Sequence, residues 1–131
     1  MAHIVVVDDN VTFREMIAEV LAEGGHTVVA EERVAPALIR LHLQRPDLVI
    51  VDMWMEHPDS GLRLARTLHD DPATRGIPMI ICSAHADAIK AFKRELDGLG
   101  CVFISKPFDI DRLLAVVQDA IGPKEAHVQV K

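Results

Sequence analysis

The chain has 131 residues, half of them hydrophobic and 26% charged, which suits one globular domain on a single core and leaves no length for a second domain of ordinary size. A formal net charge of −6 argues against a broad nucleic-acid footprint. No apolar run approaches the roughly 20 residues of a membrane span, and no basic stretch leads into an apolar one at the N-terminus, so neither membrane nor signal peptide is expected and a cytoplasmic location is.

The first apolar run, 4–7 in HIVVVDDN, ends on two adjacent carboxylates, Asp8 and Asp9. Like charges at the end of a buried strand repel and resist desolvation, so a positive group is expected beside them. Phe13, Met16, Ile17, Val20 and Leu21 then recur at helical spacing and define one inward face, stopped by Gly24-Gly25. A second strand is expected over 27–30. A second helix starts near Pro36, turns Leu38 and Leu41 inward and ends at Arg45-Pro46. The third strand, 48–51, runs into Asp52. A third helix over about 61–69 uses Leu64, Ala65 and Leu68. The fourth strand, 79–82, is followed by Ser83 and by a helix over about 87–96 with Ile89, Phe92 and Leu96 inward. The fifth strand, 101–104, precedes Lys106-Pro107. Asp109 is the expected N-cap of a last helix carrying Leu113, Leu114, Val116, Val117 and Ile121. Residues 122–131 read as a tail or the start of a linker. Cys82 and Cys101 sit in apolar runs and are expected to be buried, reduced thiols. The seven histidines show no metal-ligand spacing such as HExxH, and only His57 and His85 fall near the charged strand ends.

Five strands alternating with five helices form a (βα)₅ α/β domain, a parallel sheet covered on both faces. In that arrangement Asp8, Asp9, Asp52, Ser83 and Lys106 all follow strands, at the carboxyl ends where open α/β sheets bind ligands. A solvated carboxylate cluster is a hard-oxygen site suited to Mg²⁺ or Mn²⁺, and a bound cation would offset the repulsion among the three aspartates. Metal, lysine and hydroxyl together could hold a transferring phosphoryl group, with Asp52 as the nucleophile.

The motifs VVVDDN, DLVIVDMWM, IICSAHAD and VFISKPFD, in this order and each carrying a strand, resemble the receiver domain of two-component response regulators over residues 3 to about 121. The resemblance implies a doubly wound, flavodoxin-like five-stranded sheet in the order 2-1-3-4-5. It implies a domain over 1–121 that takes a phosphoryl group on Asp52 from a histidine kinase or a histidine phosphotransfer protein. The metal would be held by Asp8, Asp9, Asp52 and the backbone carbonyl of Trp54. Lys106 would pair with the phosphoryl oxygens, and Ser83 would move towards them on activation. Phe103 would be the switch aromatic, reporting to a downstream protein through the helix 4–strand 5–helix 5 face, which is also a candidate homodimer face. Such a protein phosphorylates and dephosphorylates itself and is not a turnover enzyme.

The chain departs from the family pattern in MEHPDSG. Glu56 stands where proline is usual, and Gly61 arrives one residue late. Trp54 is bulky, and with His85 it occupies the positions that tune hydrolysis of the phosphoryl group in this family. Ala84 is small, as is usual. These departures keep a second reading open, a receiver-like interaction module that works without phosphorylation. A phosphohydrolase using an aspartyl phosphate is disfavoured, because Trp54 stands where such enzymes place a second aspartate.

Overall fold

In the computed structural model, which describes residues 2–130 and side chains through Gly122 apart from those of Ala86 and Ala88, five strands alternate with five helices. They are β1 (His3–Val7), α1 (Val11–Glu23), β2 (Thr27–Glu31), α2 (Val34–Leu43), β3 (Leu48–Asp52), α3 (Ser60–Asp70), β4 (Met79–Ser83), α4 (Ala86–Gly98), β5 (Val102–Ser105) and α5 (Ile110–Val130). All strand pairings are parallel, and the sheet order is β2-β1-β3-β4-β5. This is the doubly wound, flavodoxin-like arrangement.

The two-residue alternation of strand side chains sorts the core into two layers. Val5, Val7, Val49, Val51, Met79 and Ile81 pack beneath α2, α3 and α4 against Leu41, Leu64 and Leu96. Ile4, Val6, Leu48, Ile50, Ile80 and Cys82 face α1 and α5 and meet Ile17, Leu21, Leu113 and Val117. Central strands β1, β3 and β4 are buried almost throughout, whereas the edge strands β2 and β5 are partly exposed.

Several expected boundaries move. The ladder carries β3 on to Asp52 and β4 on to Ser83, because backbone pairing continues into the polar residues, Asp52 opposite Cys82 and Ser83 opposite Ser105. Strand β5 begins at Val102, so Cys101 precedes it. Helix α2 begins at Val34, two residues before Pro36. Proline is tolerated there because first-turn amides have no intrahelical partner. Met16 is 39% exposed: the buried stripe of α1 is Ile17 and Leu21, with Met16 on its flank. Asp109 does cap α5, its Oδ1 accepting the Arg112 amide at 2.7 Å. Helix α5 extends past Gly122, where the tail is expected to begin, and the side chains of 123–131 lie outside the described residues.

Both cysteines are buried and unpaired. Burial pushes the Cys82 thiol up to about 12 and the Cys101 thiol up to about 11. Neither carries appreciable thiolate at neutral pH, which fits packing rather than redox chemistry. Among the described residues, no helix is long and apolar enough to cross a membrane.

Candidate phosphoryl-acceptor site

The loops after β1, β3, β4 and β5 meet at one end of the sheet. One carboxylate oxygen from each of Asp8, Asp9 and Asp52 lies within 4.8 Å of the others. Asp8 is the buried member at 1% exposure, and Asp9 is exposed. The positive group expected beside them is Lys106, whose Nζ lies 3.0 Å from Asp8 Oδ2 and 3.7 Å from Asp52 Oδ2. The pocket thus brings together the three carboxylates and the lysine from positions as far as 98 residues apart.

Asp8 is held by its own turn. Its Oδ1 accepts the Asn10 amide at 2.9 Å, its amide donates to Glu31 O at 3.0 Å, and its carbonyl accepts Arg14 Nη1 at 2.7 Å. Asn10 then caps α1 through the Phe13 amide at 2.9 Å. One short turn therefore fixes a site carboxylate and starts the helix beside it.

Asp52 is perturbed. Burial pushes its carboxyl up to about 6, Asp8 and Asp9 push the same way, and Lys106 and the Trp54 amide oppose them. A carboxylate that resists ionisation until a cation arrives is suited to oxygen-coordinating divalent metals.

Ser83 is buried at the end of β4, with its Oγ turned into its own loop. It accepts the His85 amide at 3.0 Å. Phe103 is half-buried and packs against the α2–α4 layer of the core. The Trp54 and His85 rings meet at a 4.5 Å centroid distance, tilted by 41°, joining the β3 and β4 loops above the strand ends.

The long loop after β3 is internally closed. Ser60 Oγ accepts the His57 amide at 2.9 Å and bonds His57 O at 2.9 Å, and the Met55 amide donates to the same carbonyl at 3.2 Å. The Gly61 amide returns to Met53 O at 2.9 Å. The chain passes so close here that a Cβ on Gly61 would lie 3.0 Å from Met53 Cα and 3.3 Å from Asp52 O. Both are backbone atoms with little freedom to yield. Gly61→Ala is therefore expected to lower stability by roughly 1–3 kcal/mol, read as a lower urea midpoint at unchanged m-value; an unaltered midpoint would show that the loop can shift.

The residues that sequence reasoning missed are Phe13 and Phe108. The spacing of α1 assigns Phe13 to the helix's inward face alone. In the structure its ring lies under Lys106, with Nζ 3.8 Å from the ring centroid, and meets Phe108 edge to face at 5.7 Å and 82°.

The family model for the response regulator receiver domain matches residues 4–118. The chain is 35% identical over 130 residues to the chemotaxis protein CheY of Bacillus subtilis, covering 93% of this chain and all of that one. It is 32% identical over 135 residues to the phosphate regulon transcriptional regulatory protein PhoB of Pseudomonas aeruginosa, covering 97% of this chain and 57% of that one. The chain thus spans little more than half of that relative. Among solved structures, the receiver domain of a signal transduction histidine kinase from Syntrophus aciditrophicus superposes with a TM-score of 0.81 at 30% identity, over 94% of this chain and 92% of that one.

Proposed function

The chain belongs to the response regulator receiver domain family, a family of signalling switches rather than classical enzymes, and from that premise we propose that it is a phosphorylatable switch whose acceptor is Asp52. The observation that carries the reading is the convergence of Asp8, Asp9, Asp52 and Lys106 at the carboxyl edge of the sheet.

A carboxylate oxygen of Asp52 attacks the phosphorus of a phosphohistidine on a histidine kinase or histidine phosphotransfer protein. An O–P bond forms, the N–P bond breaks, and its electron pair leaves on the imidazole nitrogen. Hydrolysis removes the group: water attacks the phosphorus, the Asp52 O–P bond breaks with its electron pair returning to the carboxylate, and inorganic phosphate and a proton are released. Lys106 would pair with the phosphoryl oxygens, a role supported by its ammonium lying 3.7 Å from Asp52 Oδ2. Ser83 adds a hydroxyl once it leaves its turn with His85.

All three carboxylates suit a hard divalent cation. Asp8, Asp9 and Asp52, with the carbonyl of Trp54, would hold Mg²⁺ or Mn²⁺, which supplies charge neutralisation for carboxylates and phosphoryl oxygens alike.

The signal would leave through the α4–β5–α5 face. Val102 at 44% and Ile110 at 48% are large apolar side chains exposed there, beside a sheet edge, which suits a downstream protein or a second copy of the chain.

Intact mass after incubation with acetyl phosphate and Mg²⁺ tests the reading. The wild type is expected to gain one phosphoryl group, and neither Asp52→Asn nor metal-free protein to gain any. No gain in folded, Mg²⁺-binding wild type would transfer the assignment to a phosphorylation-independent interaction module.

A further inference from the structure

The ammonium of Lys106 has three N–H donors and, among the described residues, one acceptor within ordinary hydrogen-bonding distance, Asp8 Oδ2 at 3.0 Å. Asp52 Oδ2 at 3.7 Å is near but unbonded. The remaining close partner is the face of Phe13, 3.8 Å from the ring centroid. That ring is not free to drift. Phe13 is the third residue of α1, and its amide is fixed by the Asn10 cap at 2.9 Å. Phe108, two residues beyond Lys106, meets it edge to face. The two rings staple the first turn of α1 to the β5–α5 loop, and the ammonium rests on one of them.

Without the ring, Asp8 would be the dominant attraction on the lysine. A flexible four-carbon stem leaning on a buried carboxylate would draw the charge away from Asp52. An aromatic face offers a second attraction that accepts no proton and forms no competing ion pair, in a partly desolvated pocket where such contacts are strongest.

We propose that Phe13 is a positioning residue, and that its ring holds the Lys106 ammonium between Asp8 and the phosphoryl-accepting oxygen of Asp52. The proposal rests on the reading of Asp52 as acceptor, but its geometric half stands apart from that reading. The first helical turn, whose Arg14 already holds the Asp8 carbonyl, then also acts on the acceptor's electrostatics through Lys106.

The test compares wild type, Phe13→Leu and Phe13→Tyr in the full chain by two readouts. The first is the chemical shift of the Lys106 ε-protons in metal-free protein. A ring beneath the ammonium moves them upfield; the shift is expected in wild type and Phe13→Tyr and absent from Phe13→Leu. The second is the initial rate of acetyl phosphate labelling with Mg²⁺. Phe13→Leu, which keeps apolar bulk, is expected to be about five- to tenfold slower, with Phe13→Tyr within about twofold of wild type.

Wild-type ε-protons at unshifted positions would overturn the proposal, as would a leucine variant labelled at the wild-type rate. A folded tyrosine variant as slow as the leucine one would also overturn it, since bulk rather than the ring face would then be at stake. Should Phe13→Leu not fold, the wild-type ε-proton shift and the tyrosine variant's rate still decide. If wild type itself takes no phosphoryl group, the acceptor reading fails while the ε-proton shift still reports on the Lys106–Phe13 contact.

Discussion

Replacing Lys106 with methionine is expected to destabilise the metal-free protein by about 2–4 kcal/mol and, in the same variant, to tighten Mg²⁺ binding. The first effect follows from Asp8, whose carboxylate is 1% exposed and whose Oδ2 has Lys106 Nζ as its partner at 3.0 Å. Removing one member of a buried ion pair leaves the other charged and desolvated, a situation that typically costs ~3–5 kcal/mol. Here the loss is moderated, because the Asn10 amide still donates to Oδ1 at 2.9 Å. The second effect follows from competition: the ammonium and a divalent cation seek the same oxygens. Without the lysine, three unneutralised carboxylates await the metal. Urea unfolding with and without Mg²⁺ measures both, since a ligand bound only by the folded state adds stability according to its concentration over its Kd. The variant should start lower than wild type and gain more from Mg²⁺. Phosphoryl uptake should nevertheless be nearly lost if Lys106 pairs with the phosphoryl oxygens as proposed, because the metal would not replace that contact. An unchanged midpoint without metal would mean that Asp8 finds other compensation and that the ion pair carries little of the fold.

Asp52→Asn is expected to raise stability at neutral pH, again without metal, and the gain should vanish in acid. The folded carboxyl stands at about 6, pushed there first by burial, against an ordinary value of 3.8. Between those values the folded protein holds a proton that the unfolded chain has released. The stability from that proton is fully present below about 3.8 and is lost as pH rises through about 6. Asparagine does not titrate, so the variant escapes the loss. Above pH 6.5 it should exceed wild type by about 1–2 kcal/mol, a value below the full shift because the carboxylate faces the open pocket and solvent screens part of the repulsion. Near pH 4 the two curves should meet. Saturating Mg²⁺ should reverse the order at neutral pH, because only the wild type offers the third carboxylate. Thermal melts across pH 4 to 8 would decide, and a constant difference over that range would show that charge at Asp52 is not its source.

The fold was legible because its strands are short apolar runs and its helices keep a 3.6-residue period; Ile17, Leu21, Leu41, Leu64 and Leu113 all fall where that period puts them. The charged site was legible for a related reason. A carboxylate or lysine after an apolar run has few structural uses, and Asp8, Asp52 and Lys106 each stand there. What escaped were contacts that no local period encodes. Phe13 belongs to the helical stripe whether or not a lysine 93 positions later rests on its ring. Trp54 and His85 meet across two loops that are 31 residues apart in sequence. The closed turn of His57 and Ser60 depends on a hydroxyl that spacing cannot aim. Boundaries slipped where backbone pairing outlasts hydrophobicity, as at Asp52 and Ser83.

The alternation that sorts the core into two layers behaves like a reading frame. Along β1, β3 and β5 the even-numbered residues face α1 and α5, and Asp8, Asp52 and Lys106 continue that even count beyond the apolar residues. Ser83 and Phe103 are odd, in register with Ser105 and Ile81, and Phe103 packs with the layer beneath α3 and α4. Asp8, Asp52 and Lys106 thus share one frame and Ser83 and Phe103 the other, while Asp9, the exposed carboxylate, follows in the turn beyond the strand. A one-residue insertion inside β3 or β4 would exchange the frames and send Asp52 or Ser83 to the wrong layer. The extra residue of MEHPDSG falls after Asp52, in a loop that Gly61, in the first turn of α3, closes back onto Met53, where the frame has already been read.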